Sequence, residues 1–179
     1  LGAAFALVAA GVPCVAQWWD SGGDVNEWLG KSTDKKLKLS FEQRTRYEER
    51  YALGFGKDGD EGYGLLRTRL GMTYTPVKWL KVSAMAQDSR APGYRNASAS
   101  FRDALDLQEA YFDAGSTGKR GFGISAGRQM LNYGEARLVG SPQWGNVSRT
   151  WDFARAYYRT EGWQVEMLVA SPVKVQSEA

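Results

Sequence analysis

The sequence predicts an all-β chain, an antiparallel sheet of the kind that forms a transmembrane outer-membrane β-barrel. Three observations carry this. Strand-length segments alternate apolar and polar residues, the connections between them alternate long and short, and aromatic residues gather beside the short ones. Composition agrees: 13% of the 179 residues are aromatic, yet mean hydropathy is −0.45, so the large rings are not strung into long apolar runs. A helical membrane protein needs such runs, each of about 20 residues. With no histidine and one cysteine, a disulfide scaffold and a histidine-ligated metal site are both excluded.

The first element is the one continuous apolar stretch, LGAAFALVAAGVPCVA over residues 1–16, which is too short to cross a bilayer as a helix. Cys14 and Ala16 stand three and one residues before a cleavage point at Gln17, so 1–16 reads as a secretory signal peptide, truncated at its own N-terminus. Pro13 disfavours a lipoprotein site at Cys14. A buried N-terminal helix is the plainer alternative. Residues 17–36 are turn-rich, show no period, and are expected to be a periplasmic lead-in.

From Leu37 the alternation is strict. Leu37, Leu39, Phe41, Gln43, Thr45 and Tyr47 point one way; Lys38, Ser40, Glu42, Arg44, Arg46 and Glu48 point the other. Leu66, Thr68, Leu70, Met72 and Tyr74 oppose Arg67, Arg69, Gly71 and Thr73. Leu80, Val82, Ala84 and Ala86 oppose Lys81, Ser83, Met85 and Gln87. The pattern weakens but persists over 103–115, 121–130, 150–160 and 162–171, which makes seven strands in all. Connections 49–63, 88–103 and 131–149 are long; 75–79, 115–121 and 160–162 are short. Short periplasmic turns and long extracellular loops give a membrane barrel this asymmetry. Tyr74, Trp79, Phe112, Phe122, Tyr158 and Trp163 then form an aromatic girdle at the short-turn rim, with Trp79 out of phase with its strand. A secreted soluble β-sandwich binding module, its apolar faces meeting in a core, stays open as the alternative.

The segment from Gly127 to Asp152 stands out as a long, glycine-studded connection with Arg128 and Arg149 at its feet and Arg137 midway. Two arrangements are open to it. It folds inward to narrow a pore, or it packs over the mouth with its arginines paired to Glu135 and Asp152.

Several stretches, taken in series, resemble the alginate export family of outer-membrane porins. They are Leu66-Arg67-Thr68-Arg69-Leu70-Gly71, Trp79-Leu80-Lys81, Gln87-Asp88-Ser89-Arg90, Leu107-Gln108-Glu109-Ala110-Tyr111, Gly127-Arg128-Gln129, Asn132-Tyr133-Gly134, Arg137-Leu138-Val139-Gly140, and Trp144-x-Asn146-x-x-Arg149-Thr150 followed by Asp152. The similarity runs in order from about Leu37 to Pro172. It implies an eighteen-stranded barrel with an electropositive lumen, in the outer membrane of a Gram-negative-type bacterium, that passes the polyuronate alginate. Seven strands are too few for such a barrel, so residues 37–179 are expected to be its N-terminal part within a longer chain.

On the resemblance, the polar face becomes a lumen. The residues expected to contact an anionic polysaccharide are Arg44, Arg46, Arg67, Arg69, Lys81, Arg128, Arg137, Arg149, Arg155 and Arg159, partly offset by Glu42, Glu48 and Glu166. Guanidinium forks match carboxylates, and many spaced contacts pass a polyanion without trapping it. Each arginine has a plainer reading, in which it pairs with a neighbouring carboxylate to hold the wall. Expected partners are outer-membrane lipid, an alginate-like polyuronate and periplasmic export machinery. No cofactor and no nucleic acid are expected. A general or sugar-specific uptake porin is the alternative on the same scaffold.

An enzyme is not expected. Asp106 with Glu109, or Glu42 with Glu48, are candidates for a glycosidase's acid and base; alternation puts the first pair on opposite faces, and the second lies far apart along one strand. Asp58, Asp60 and Glu61 read as a solvated loop in preference to a cation site.

Overall fold

The computed structural model describes residues 30–50, 61–95, 97–116 and 120–175. The proposed signal peptide and most of the lead-in lie outside the described residues. Seven strands form one antiparallel sheet in sequence order: β1 (Leu37–Arg50), β2 (Glu61–Val77), β3 (Leu80–Arg90), β4 (Asp103–Gly115), β5 (Gly121–Gln129), β6 (Trp151–Arg159) and β7 (Gln164–Pro172). Long and short connections alternate as the sequence suggests, so the long ones share one end of the sheet.

Register sorts the side chains. Glu42 pairs with Arg69, Arg44 with Arg67, and Arg46 with Leu65. Arg69 then pairs with Gln87, and Gly71 with Met85. Further on, Ser125 pairs with Arg155, and Tyr157 with Glu166. All of these stand on one face. The opposite face carries Phe41, Leu70, Met72, Val82, Phe112, Phe122, Ile124, Met167 and Val169.

The polar face is the buried one. Arg67 and Arg69 are each 4% exposed, whereas Leu70 is 60% and Met167 78% exposed. A soluble sandwich requires the reverse. Burying one Leu, Ile or Met is worth about 1.5–3 kcal/mol. A face of such residues left in water would forfeit on the order of 10 kcal/mol, comparable with the whole net stability of an ordinary domain. In hydrocarbon the same face costs nothing, and this is the outward face of a membrane barrel. The aromatic girdle lies beside the short turns, with ring centroids 4.5 Å apart for Phe122 and Tyr158 and 5.7 Å apart for Tyr158 and Trp163. Trp79 is out of phase because it belongs to no strand. It forms the two-residue turn with Lys78, between the paired Val77 and Leu80.

Two differences from the sequence reading have local causes. β2 starts at Glu61, five residues before the alternation becomes legible, because Leu65 faces the polar side. There it is fully buried with Tyr63 and Ala91, and Tyr94, Ala97 and Phe101 of the β3–β4 connection pack on them. In β4 the partners skip Gln108: Met85 faces Glu109 while Ala86 faces Leu107. This bulge shifts the phase, so Asp106, opposite Gln87, shares the polar face with Glu109 and does not oppose it. The two still have separate tasks. Asp106 lies 4.0 Å from Arg128, and Glu109 accepts the Met130 N–H at 3.0 Å.

One glycine is dictated by a neighbouring ring. A Cβ on Gly123 would sit 2.2 Å from Tyr157 Cζ, because the Tyr157 ring lies across β5 to reach Asp113 Oδ1 at 3.0 Å. The ring covers backbone that glycine leaves bare.

Candidate functional site

On the polar face, β1 and β2 place four arginines in a two-by-two array: Arg44 and Arg46 on one strand, Arg67 and Arg69 on the next, with Arg44 directly opposite Arg67. Like charges facing each other across a ladder are destabilising unless something compensates. Glu42 accepts from Arg67 at 3.0 and 2.5 Å and from Arg69 at 3.3 Å, and Glu48 lies 2.7 Å from Arg46. Two carboxylates do not balance four guanidinium groups.

The remaining donors go to the long β5–β6 connection. Arg44 Nη1 donates to the Gln143 carbonyl at 2.7 Å and its Nη2 to the Gly145 carbonyl at 2.8 Å. Arg46 Nη1 donates to the Trp144 carbonyl at 2.9 Å. Arg69 reaches Gln143 Oε1 at 3.1 Å, Ser148 Oγ at 2.9 Å and Gln87 Oε1 at 2.6 Å. An irregular segment lying against a sheet has carbonyls that no ladder satisfies, and the guanidinium forks supply the missing donors.

Asn146 completes the attachment. It is fully buried, and the two hydrogens of its Nδ2 are shared among the carbonyls of Leu66 (2.9 Å), Arg90 (3.1 Å) and Phe101 (3.0 Å). Ser89 Oγ donates to the Asn146 carbonyl at 3.2 Å, Gln108 Nε2 to the Ser148 carbonyl at 2.9 Å, and Val147 N to the Ser100 carbonyl at 2.9 Å. The segment Gln143–Ser148 thus lies across β1–β3 and is joined there to the β3–β4 connection.

The other arm of the same connection rests on β4–β7. Tyr133 donates its hydroxyl to Glu166 Oε2 at 2.7 Å, and Arg155 lies between Asp113 (3.3 Å) and Glu166 (3.7 Å). Burial, together with the Glu166 carboxylate, pushes the Tyr133 phenol above its ordinary range. Gly134, Glu135 and Ala136, with φ of 59°, 55° and 64°, then turn the chain back so that Tyr133 bridges to Val139.

The sequence-selected cations fall into distinct environments. Arg44, Arg46, Arg67 and Arg69 converge on the connection. Lys81 (5.3 Å from the Tyr111 ring), Arg155 and Arg159 (2.7 Å from Gln164 Oε1) line the polar face towards the short turns. Arg128 is on the apolar side: it pairs with Ala110 and Asp152 in register, and its Nε donates to Asp152 Oδ1 at 2.8 Å. Arg137 is exposed and pairs with Glu135 at 3.1 Å, and Arg149 is exposed. The connection therefore combines the two expected arrangements, lying on the polar face while Arg128 and Arg137 pair with Asp152 and Glu135. Glu61 accepts the Arg95 N–H at 2.8 Å; Asp58 and Asp60 lie outside the described residues.

Sequence reasoning missed Gln143, Asn146, Ser148, Gln108 and Tyr133 as working parts. Gln108, Tyr133 and Asn146 had a signal, since they belong to the Leu107–Tyr111, Asn132–Gly134 and Trp144-x-Asn146 stretches; Gln143 and Ser148 had none. A family model described as alginate export matches residues 34–179. No curated protein and no solved structure matches the chain.

Proposed function

The chain belongs to the alginate export family of outer-membrane transporters, and we propose that its polar face lines a channel for passive, anion-biased passage of an acidic polysaccharide such as alginate. The observation that carries this reading is the four-arginine array, whose ion-pair partners among the described residues are Glu42 and Glu48, with Glu109 adding a more distant negative charge beside Arg69. Excess positive charge beside a low-dielectric wall raises the local concentration of anions.

The array has two tasks in this reading. Its donors hold Gln143–Ser148 across the polar face, which narrows the passage, and its uncompensated charge sets the sign of what enters. Lys81, Arg155 and Arg159 continue the cationic track towards the short-turn end. Asp113 and Glu166 temper Arg155, so a polyuronate meets several moderate contacts in place of one trap. Arg137 and Arg149 extend the same field from the connection itself. Arg128 is spent on Asp152 at the apolar side, where it helps mark the upper edge of the lipid-facing band. The apolar face packs against outer-membrane lipid.

The test is block of the full-length protein in planar bilayers. Short uronate oligomers are expected to interrupt the current more strongly than uncharged oligosaccharides of equal length; equal block, or none by uronates, removes the substrate assignment.

A further inference from the structure

Trp144 is 75% exposed, although its backbone is among the most firmly held on the polar face. Its carbonyl accepts from Arg46 at 2.9 Å and from Arg44 at 3.3 Å, and the carbonyls on either side, of Gln143 and Gly145, are held by Arg44 as well. The Arg46 guanidinium carbon lies 4.3 Å from the centroid of the indole, and Glu48 tethers that guanidinium at 2.7 Å. A cation thus supports one side of the ring, and the greater part of the indole remains open.

This is not a lipid anchor. Trp79 and Trp163 sit beside the short turns, whereas Trp144 stands on the polar face against a residue of the arginine array. An open, positionally fixed indole offers a flat apolar surface that water solvates poorly. A pyranose ring presents a matching flat patch of C–H groups, with its hydroxyl and carboxylate groups at the rim. The cation behind the indole favours a sugar that carries a carboxylate.

We propose that Trp144 is a stacking platform for a pyranose ring of the transported polysaccharide, with Arg46 as its support. This rests on the channel reading above and adds a defined subsite to it. Because stacking does not read charge, loss of the ring should weaken uronate and neutral oligosaccharides alike.

The experiment compares the unaltered full-length protein with Trp144→Ala and Trp144→Phe in planar bilayers, using uronate oligomers and uncharged oligosaccharides of the same length. In Trp144→Ala, block by both sugars should weaken roughly tenfold; Trp144→Phe should retain most of the block. Equal block by Trp144→Ala and the unaltered protein overturns the platform and leaves the channel standing. Loss of block in Trp144→Phe as complete as in Trp144→Ala also overturns it, since a flat ring would then not suffice. Failure of uronates to block the unaltered protein removes the channel's substrate instead.

Discussion

Arg69 Nη2 donates to Ser148 Oγ at 2.9 Å across 79 positions of sequence, and the contact is buried. The same guanidinium holds Gln87 on β3 and Glu42 on β1, so one side chain joins three strands to the connection that crosses them. Arg69 is therefore a structural joint before it is an anion contact. Arg69→Ala strips partners from Glu42, Gln87 and Ser148 together. Arg67 still holds Glu42, so a loss of about 1–3 kcal/mol, read from denaturant unfolding in detergent, is the expected cost of leaving buried polar groups on Gln87 and Ser148 without their partner. The open channel should also become noisier, as Gln143–Ser148 loses its hold. Arg69→Lys keeps the charge and loses the fork, and should restore ion preference better than stability.

Asn146 makes a sharper case, because its side chain acts through donation. Nδ2 faces the carbonyls of Leu66, Arg90 and Phe101. Asn146→Asp replaces that donor with an anionic acceptor against three carbonyl oxygens, so it should destabilise more than Asn146→Ala. Limited proteolysis of the β5–β6 connection in detergent distinguishes them: cleavage should be fastest in Asn146→Asp, intermediate in Asn146→Ala and slowest in the unaltered protein.

The two faces of the sheet should respond oppositely to the same charge. Met72→Lys and Ile124→Lys place an ammonium on the lipid side, where it costs about 2–4 kcal/mol near the bilayer midplane. Ser83→Lys puts it on the polar face, opposite Thr73, and should cost less than 1 kcal/mol. Folding yield into lipid vesicles measures the contrast. Equal penalties on both faces would mean that the apolar face does not meet lipid.

The pattern of legibility has a physical basis. Strand positions from Leu66 to Tyr74 can be read because outward residues answer to lipid and inward ones to polar partners, and this two-residue period is local. Leu65 breaks the period because it answers to Tyr63 and Ala91 beneath a loop. The Gln108 bulge changes the phase without changing composition, so the relation of Asp106 to Glu109 reads wrongly from spacing. The seat of the β5–β6 connection is least legible. Arg44 meets Gln143 across 99 positions and Asn146 meets Leu66 across 80, and small polar residues carry no local mark of such partners. The arginines stand out by their charge, but the carbonyls that occupy them leave no trace in the side-chain sequence.

Reversal potential across a salt gradient, measured on the full-length protein in planar bilayers, tests the channel reading most directly. A potential of the sign for anion preference is expected, shifting towards zero when Arg67 and Arg69 are both replaced by alanine. Cation preference in the unaltered protein would contradict it.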